Sequence, residues 1–176
     1  VTAETIPELV ERLVRTVPDF PEPGIVFRDL TPVFADPTGL RRVIDALIEP
    51  FRGTFDVIAG IEARGFLLAA AAAYATGTGV VAVRKAGKLP GVVLSERYAL
   101  EYGEAQLDLG EGIIAAGSRV LMLDDVLATG GTADATRRLL QRAGGEVIGL
   151  GVVMDLAELG GRSCLSDLQV VSLLTC

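Results

Sequence analysis

Between residues 5 and 17, apolar side chains recur at positions 6, 9, 10, 13, 14 and 17, the spacing of one helix face, and Thr5 with Glu8 forms a capping-box pair at the start. A helix is predicted over this stretch. From 18 to 37, prolines interrupt both the helical and the strand period, so the passage reads as an ordered loop carrying Phe20, Phe27 and Phe34. Asp36 and Pro37 then open a second amphipathic helix, with Leu40, Val43, Ile44, Leu47 and Ile48 on its apolar side.

Beyond this helix the pattern changes. Apolar, β-branched runs at 57–61, 80–83, 120–123 and 147–154 alternate with helical stretches after Gly65 and Gly131. Runs without polar alternation belong to strands covered on both faces, so the prediction is an α/β fold: a mostly parallel twisted sheet flanked by helices. Residues 105–109 alternate as a short strand, and 168–174 add a last one. Between 85 and 103 strand and helix signals are few, and so long an interval in a compact domain predicts a mobile flap. A chain of 176 residues suffices for one core, so 1–176 is expected to be one domain with an N-terminal hood at about 1–37 and a flap at about 85–103. Leu9, Leu13, Leu47 and the alanines of 69–73 are assigned to that core.

Composition removes several chemistries. Histidine, tryptophan and asparagine are absent, which excludes His-based triads, His metal sites and Asn-linked glycosylation. Cys164 and Cys176 lack the spacing of a zinc cage or redox pair, and a reducing, cytoplasmic setting fits them. A net charge of −7 disfavours nucleic acid as a partner but leaves a small anion open, since that needs only a few local donors. Residues 65–83 carry no charge, yet the Thr76-Gly77-Thr78-Gly79 interruption predicts helix, turn and strand rather than a membrane span. The start, with Glu4, Glu8 and Glu11, lacks the basic and apolar halves of a signal peptide. Gly77 to Ala82 matches a dinucleotide fingerprint only as letters, because it precedes a strand instead of following one.

The strongest chemical signal is Val120-Leu121-Met122-Leu123-Asp124-Asp125-Val126-Leu127-Ala128-Thr129-Gly130-Gly131-Thr132, followed by a helical stretch. A strand end delivers two carboxylates, and a loop of small residues enters a helix, so free N–H groups converge on one point suited to a phosphate. The hydroxyls of Thr129 and Thr132 add donors, and the glycines allow close backbone approach. Asp124 and Asp125, facing the same crevice, would hold ribose hydroxyls.

Other segments are ambiguous in isolation. Glu62-Ala63-Arg64-Gly65 sits between a strand and a helix as a second anion-directed turn, or is merely a solvated ion pair. Phe27, within Gly24-Ile25-Val26-Phe27-Arg28-Asp29, is a core aromatic or a platform on which a flat base stacks for about 1–3 kcal/mol. Arg84, Lys85 and Lys88, the last two being the only lysines, form a basic loop or the cationic hinge of a lid that closes over a diphosphate. Glu101, in Leu100-Glu101-Tyr102-Gly103, is an exposed acid or a carboxylate that moves a purine proton.

The 120–132 unit resembles the phosphoribosyl diphosphate signature of the type I phosphoribosyltransferases. From Pro21 to Asp29 through to the last strand, the chain is similar to the adenine phosphoribosyltransferase branch of that family. The resemblance implies transfer of the 5-phosphoribosyl group from 5-phosphoribosyl 1-diphosphate to adenine, giving AMP and diphosphate. It implies that Asp124 and Asp125 bind the ribose and that Ala128, Thr129, Gly130, Gly131 and Thr132 hold the 5′-phosphate. Glu62, Ala63 and Arg64 become the diphosphate loop, with a cis peptide expected between Glu62 and Ala63, while Arg84, Lys85 and Lys88 supply positive charge. Phe27 sandwiches adenine and main-chain groups of Val26 and Arg28 read its edge, while Glu101 transfers the proton beside Tyr102. Glu101, Asp124, Asp125 and Arg64 are the implied catalytic residues.

The family likeness also implies a cytoplasmic homodimer with a basic residue lent between subunits. Mg²⁺ is the expected cofactor, bound through substrate oxygens and water rather than by direct protein ligands. Two departures stand out: Val92 to Arg97 in the flap, and the tail around Asp155 and Cys164. Two alternatives remain open, the same fold acting on another base and a regulator that binds phosphoribosyl diphosphate without catalysis.

Overall fold

A computed structural model describes residues 3–99 and 103–176. Helix α1 (Ile6–Leu13) begins at Thr5, whose hydroxyl accepts from the Glu8 amide while the Glu8 carboxylate accepts from the Thr5 amide at 2.8 Å, the reciprocal pair read from the sequence. The helix stops at Leu13 and not at Val17. Val14 is extended, and strand β1 (Arg15–Pro18) pairs antiparallel with β2 (Val26–Asp29), placing Val17 opposite Phe27. Cross-strand pairing has overridden a helical spacing that 14 and 17 happen to share.

The 18–37 passage is likewise not loop throughout. It contains β2 and a short helix α2 (Thr31–Ala35), with Pro18 at a strand end and Pro32 in the first helical turn, where a missing N–H breaks no internal bond. Helix α3 (Pro37–Ile48) starts where predicted, the Asp36 carboxylate accepting from Gly39 N at 2.6 Å.

The main sheet follows. Its elements are β3 (Val57–Ile61), α4 (Gly65–Thr76), β4 (Gly79–Lys85), β5 (Val93–Ala99), β6 (Glu104–Gly110), β7 (Arg119–Leu127), α5 (Gly131–Arg142), β8 (Glu146–Asp155) and β9 (Val170–Thr175). Their spatial order is β5-β6-β4-β3-β7-β8-β9, parallel from β4 to β9 and antiparallel at β6 and β5. Along β7, Leu121 and Leu123 join the cluster under α3 and α4 with Leu47 and Leu68. Val120 and Met122 point to the opposite cluster under α5 with Leu139 and Leu140. Both faces are covered, which is why the strand reads as an unbroken apolar run.

Leu9 and Leu47 are buried as assigned, and Leu13 packs partly buried against the core. The alanine run divides: Ala69, Ala72 and Ala73 are buried while Ala70 is exposed. Residues 65–83 form helix, glycine turn and strand, and among the described residues no helix is long and apolar enough to cross a membrane.

The interval from 85 to 103 carries more regular structure than its sequence suggests. Residues 93–99 pair one for one with β6 from Val93↔Gly110 to Ala99↔Glu104. The Ser95-Glu96-Arg97 stretch conceals the strand because its charges face partners on another element: Glu96 accepts from Arg138 at 2.9 Å and Arg142 at 2.8 Å, both on α5.

Candidate active site

Strands β3 and β7 are neighbours in the sheet and end at the same edge, so the turns that leave them for α4 and α5 lie side by side. A cleft of about 700 Å³ opens there, lined from both turns by Glu62, Ala63, Arg64, Asp124, Asp125 and Thr129 among others. Gly65 makes the approach possible. A Cβ on it would stand 2.7 Å from the Leu123 carbonyl oxygen and 3.0 Å from Asp124 Oδ1, closer than side chains tolerate. The Glu62–Ala63 peptide is cis, as the resemblance implied, and so is Phe20–Pro21.

Strand β7 runs on through both aspartates to Leu127, yet both carboxylates reach the cleft. Asp124 Oδ1 accepts from the Asp125 amide at 2.8 Å. Burial, and then the adjacent Asp125 carboxylate, push the Asp124 carboxyl well above its ordinary value, with the Arg64 guanidinium opposing. Arg64 Nε lies 2.7 Å from Asp125 Oδ2, an ion pair off the line of a hydrogen bond, so this buried oxygen has no hydrogen-bond donor. That oxygen is held inside by its ion pair with Arg64, which ties the turn after β3 to the end of β7.

The loop after β7 turns at Gly130, whose φ of +84° suits a residue without Cβ, and enters α5 with no side-chain cap. The first amides of the helix therefore remain open toward the cleft. Ala128, Thr129, Gly130 and Thr132 line it, and Thr132 Oγ1 donates to the Tyr98 hydroxyl at 3.2 Å. Gly131 opens α5 without lining the cleft, 3.6 Å from Ala99 O measured from where its Cβ would stand.

The remaining predicted residues divide. Lys85 lines the cleft, and its amide donates to Glu62 Oε2 at 2.8 Å. That bond first, and Arg84 after it, hold the Glu62 carboxyl below its usual value against the effect of burial. Arg84 turns away from the cleft, donating to Glu62 at 3.4 Å and to Lys88 O at 3.3 Å, with its guanidinium 5.9 Å from the Phe66 ring centre. Lys88 is exposed and has no ion-pair partner among the described residues. Phe27 lies outside the cleft lining but joins it through Arg64, whose guanidinium carbon is 5.8 Å from its ring centre. Phe20 meets the same ring edge-on at 5.2 Å. Val26 is exposed beside it and Arg28 half-buried.

A phosphoribosyl transferase domain model matches residues 35–169. The adenine phosphoribosyltransferase of Renibacterium salmoninarum is 65% identical over 170 residues, covering 97% of this chain and 93% of that protein. The chain belongs to the adenine phosphoribosyltransferase family. The crystal structure of the Rhodothermus marinus member superposes with a TM-score of 0.91 at 47% identity, covering 97% of this chain and 98% of that one. The Saccharomyces cerevisiae member, complexed with D-2,5-dideoxy-2,5-imino-altritol 1,6-bisphosphate and adenine, gives 0.90 at 38% identity, covering 96% and 98%. The seven-stranded, mostly parallel sheet is the type I phosphoribosyltransferase fold.

Within this adenine phosphoribosyltransferase framework, Glu101 and Tyr102 lie outside the described residues. Sequence reasoning missed Tyr98, which lines the cleft and touches Thr132 from the flap. It also missed Asp108, 3% exposed, which accepts from Gly87 N at 2.9 Å, Ser95 Oγ at 2.7 Å and Gln106 Nε2 at 2.8 Å. Burial raises the Asp108 carboxyl, and these three donors together outweigh it and leave the group below its ordinary value. Neither residue sits in a recognisable string, since each acts across the hairpin or onto another element.

Proposed function

We infer that the chain transfers the 5-phosphoribosyl group of 5-phosphoribosyl 1-diphosphate to adenine, releasing diphosphate and giving AMP. The observation that carries this reading is the meeting of the two turns: the adjacent carboxylates Asp124 and Asp125 line the cleft between an uncapped helix start and the Glu62–Arg64 turn. A sugar phosphate with an anionic leaving group has those three features in that order. The 5′-phosphate sits on the amides and hydroxyls of 128–132, the ribose hydroxyls on Asp124 and Asp125, and the diphosphate against Ala63 and Arg64.

As the bond to diphosphate breaks, C1 of the ribose gains positive charge, as in glycoside chemistry. Asp124 and Asp125 hold the ring for attack, and the Asp125 carboxylate presents negative charge beneath it. Arg64 faces the leaving group, with Arg84, Lys85 and Lys88 adding positive charge as the flap closes. Phe27, steadied by Phe20, stacks the base while Val26 and Arg28 offer main-chain groups to its edge. Glu101, beside Tyr102, takes the purine proton.

Magnesium suits the donor set in the cleft, where the Asp124 and Asp125 carboxylates would orient the ribose oxygens that share the ion with the diphosphate. Bound through substrate oxygens and water, it would supply positive charge to the diphosphate as that group leaves. Residues 1–176 work as one domain with hood and flap, in a reducing cytoplasm that keeps Cys164 and Cys176 free.

The protein works as a homodimer. Tyr74 and Leu67 on α4 are 92% and 54% exposed beside a groove whose α3 wall carries Arg41 and Asp45 one turn apart, without ion-pair partners among the described residues. A two-fold contact over this face would bring Arg41 of each copy to Asp45 of the other, so that the two charges pair twice.

Incubation with adenine, hypoxanthine, xanthine or orotate, each with the sugar diphosphate and Mg²⁺, tests the reading. AMP is the expected product. Preferential formation of another nucleotide would reassign the base, and binding of the sugar diphosphate without any product would favour the regulator.

A further inference from the structure

Behind the phosphate loop, on the side away from the cleft, lies the short 3₁₀ segment Gly161–Leu165. It belongs to the tail whose sequence departs from the family pattern. Two glycines meet face to face there: a Cβ on Gly161 would overlap the Ala128 carbonyl oxygen and stand 3.0 Å from the Gly130 amide, and a Cβ on Gly130 would overlap the Gly161 carbonyl. Cys164 Sγ reaches the Thr129 carbonyl at 3.5 Å, and Leu165, 1% exposed, roots the segment in the core under α5.

The neighbouring arginine holds this turn against the sheet. Arg162 Nε donates to Asp155 Oδ2 at 2.6 Å, Nη1 to Val170 O at 3.1 Å, and Nη2 to Ser172 Oγ at 2.7 Å. Asp155, at the end of β8, is 1% exposed, and its other oxygen has no partner. A buried carboxylate with a single cationic partner binds that partner firmly, because releasing it leaves an uncompensated charge.

We propose that Gly161 is a positioning residue for the sugar-phosphate loop, with Arg162 as its anchor. The turn sets how far the Ala128–Gly130 backbone can retreat from the cleft, and so where the amides of the loop meet the phosphate. Any side chain at 161 displaces that backbone toward the cleft. The proposal rests on assigning the 128–132 loop to the 5′-phosphate.

Calorimetric titration of ribose 5-phosphate and, separately, of Mg²⁺-diphosphate tests it, because the two ligands probe different turns. For Gly161→Ala, Kd for ribose 5-phosphate is expected to rise at least tenfold, with Kd for diphosphate within twofold of the unsubstituted protein. A merely structural role predicts no such split, so unchanged ribose 5-phosphate affinity, or equal weakening of both, overturns the proposal. If Gly161→Ala does not fold, Arg162→Lys gives the same split at smaller size, because it keeps a cation beside Asp155 and loses the fork to Val170 and Ser172. Thr129→Asp separates the two ideas by placing a carboxylate in the loop itself. If it leaves ribose 5-phosphate binding intact, the loop assignment fails and the proposal with it. If it abolishes binding while Gly161→Ala does nothing, only the positioning role fails.

Discussion

The 128–132 loop and the flap hairpin meet at Thr132 and Tyr98, yet they are held by different means. The loop is backed by glycine-to-glycine packing, a continuous strand and the apolar face of α5. The hairpin roots Leu107 and Leu109 in that same core, but its outer strand is latched to α5 by charge, Glu96 to Arg138 and Arg142, with Asp108 gathering three donors at its base. Packing is indifferent to salt and short-ranged, whereas partly exposed ion pairs contribute about 1 kcal/mol or less and are screened. A site that must recognise a phosphate in a fixed place and also admit and release a diphosphate is served by one part of each kind.

The largest effects should come from the rigid side. Asp125→Asn is expected to lower kcat/KM more than tenfold, a loss above about 1.4 kcal/mol, with near-normal turnover counting against its ribose role. Next is the group that the flap is expected to carry. Glu101→Gln should slow the chemical step in single-turnover measurements while leaving KM for the sugar diphosphate close to normal, and an unchanged rate removes Glu101 from proton transfer.

Glu96→Gln loosens the hairpin alone. It should change kcat/KM by about fivefold or less, the scale of one weakened ion-pair cluster, and its activity should depend less on salt than that of the unsubstituted protein. An equal salt response in both proteins would deny the charge latch.

The smallest effect concerns acid. The folded Asp108 carboxyl lies below its ordinary value, so its contribution is present above the unfolded value of about 3.9 and is lost as pH falls through the folded one. Asp108→Asn should therefore flatten the acid limb of stability below about pH 4, as read by denaturant midpoints across pH. A limb unchanged by the substitution would show that the hairpin base does not depend on that charge.

The same contrast governs what the sequence reveals. Strand β7 and its turn are legible because each feature lies within one short string: apolar residues for both faces, then two acids, then small residues into a helix. The β1–β2 hairpin was hidden because Val14 and Val17 satisfy helical and strand spacing alike, and only pairing with β2 decides between them. Strand β5 is hidden because its charged residues have their partners on other elements, Glu96 on α5 and Arg97 on β6. In the cleft, Glu62, Arg64, Asp124, Asp125 and Thr129 were named from local strings and do line one cavity. Arg84, expected from its string to face a substrate, is not among the residues lining the cleft, and its contacts with Glu62 and the Phe66 ring are ones no string encodes. Gly161 carries no side chain to announce itself, and only the approach of two backbones gives it meaning.

The most direct test is a crystal structure with AMP bound. The account predicts the phosphate against the amides of residues 129–132, the ribose hydroxyls on the Asp124 and Asp125 carboxylates, and the adenine ring over Phe27. A phosphate lodged instead at the Glu62–Arg64 turn, with the 129–132 amides facing only water, would contradict it.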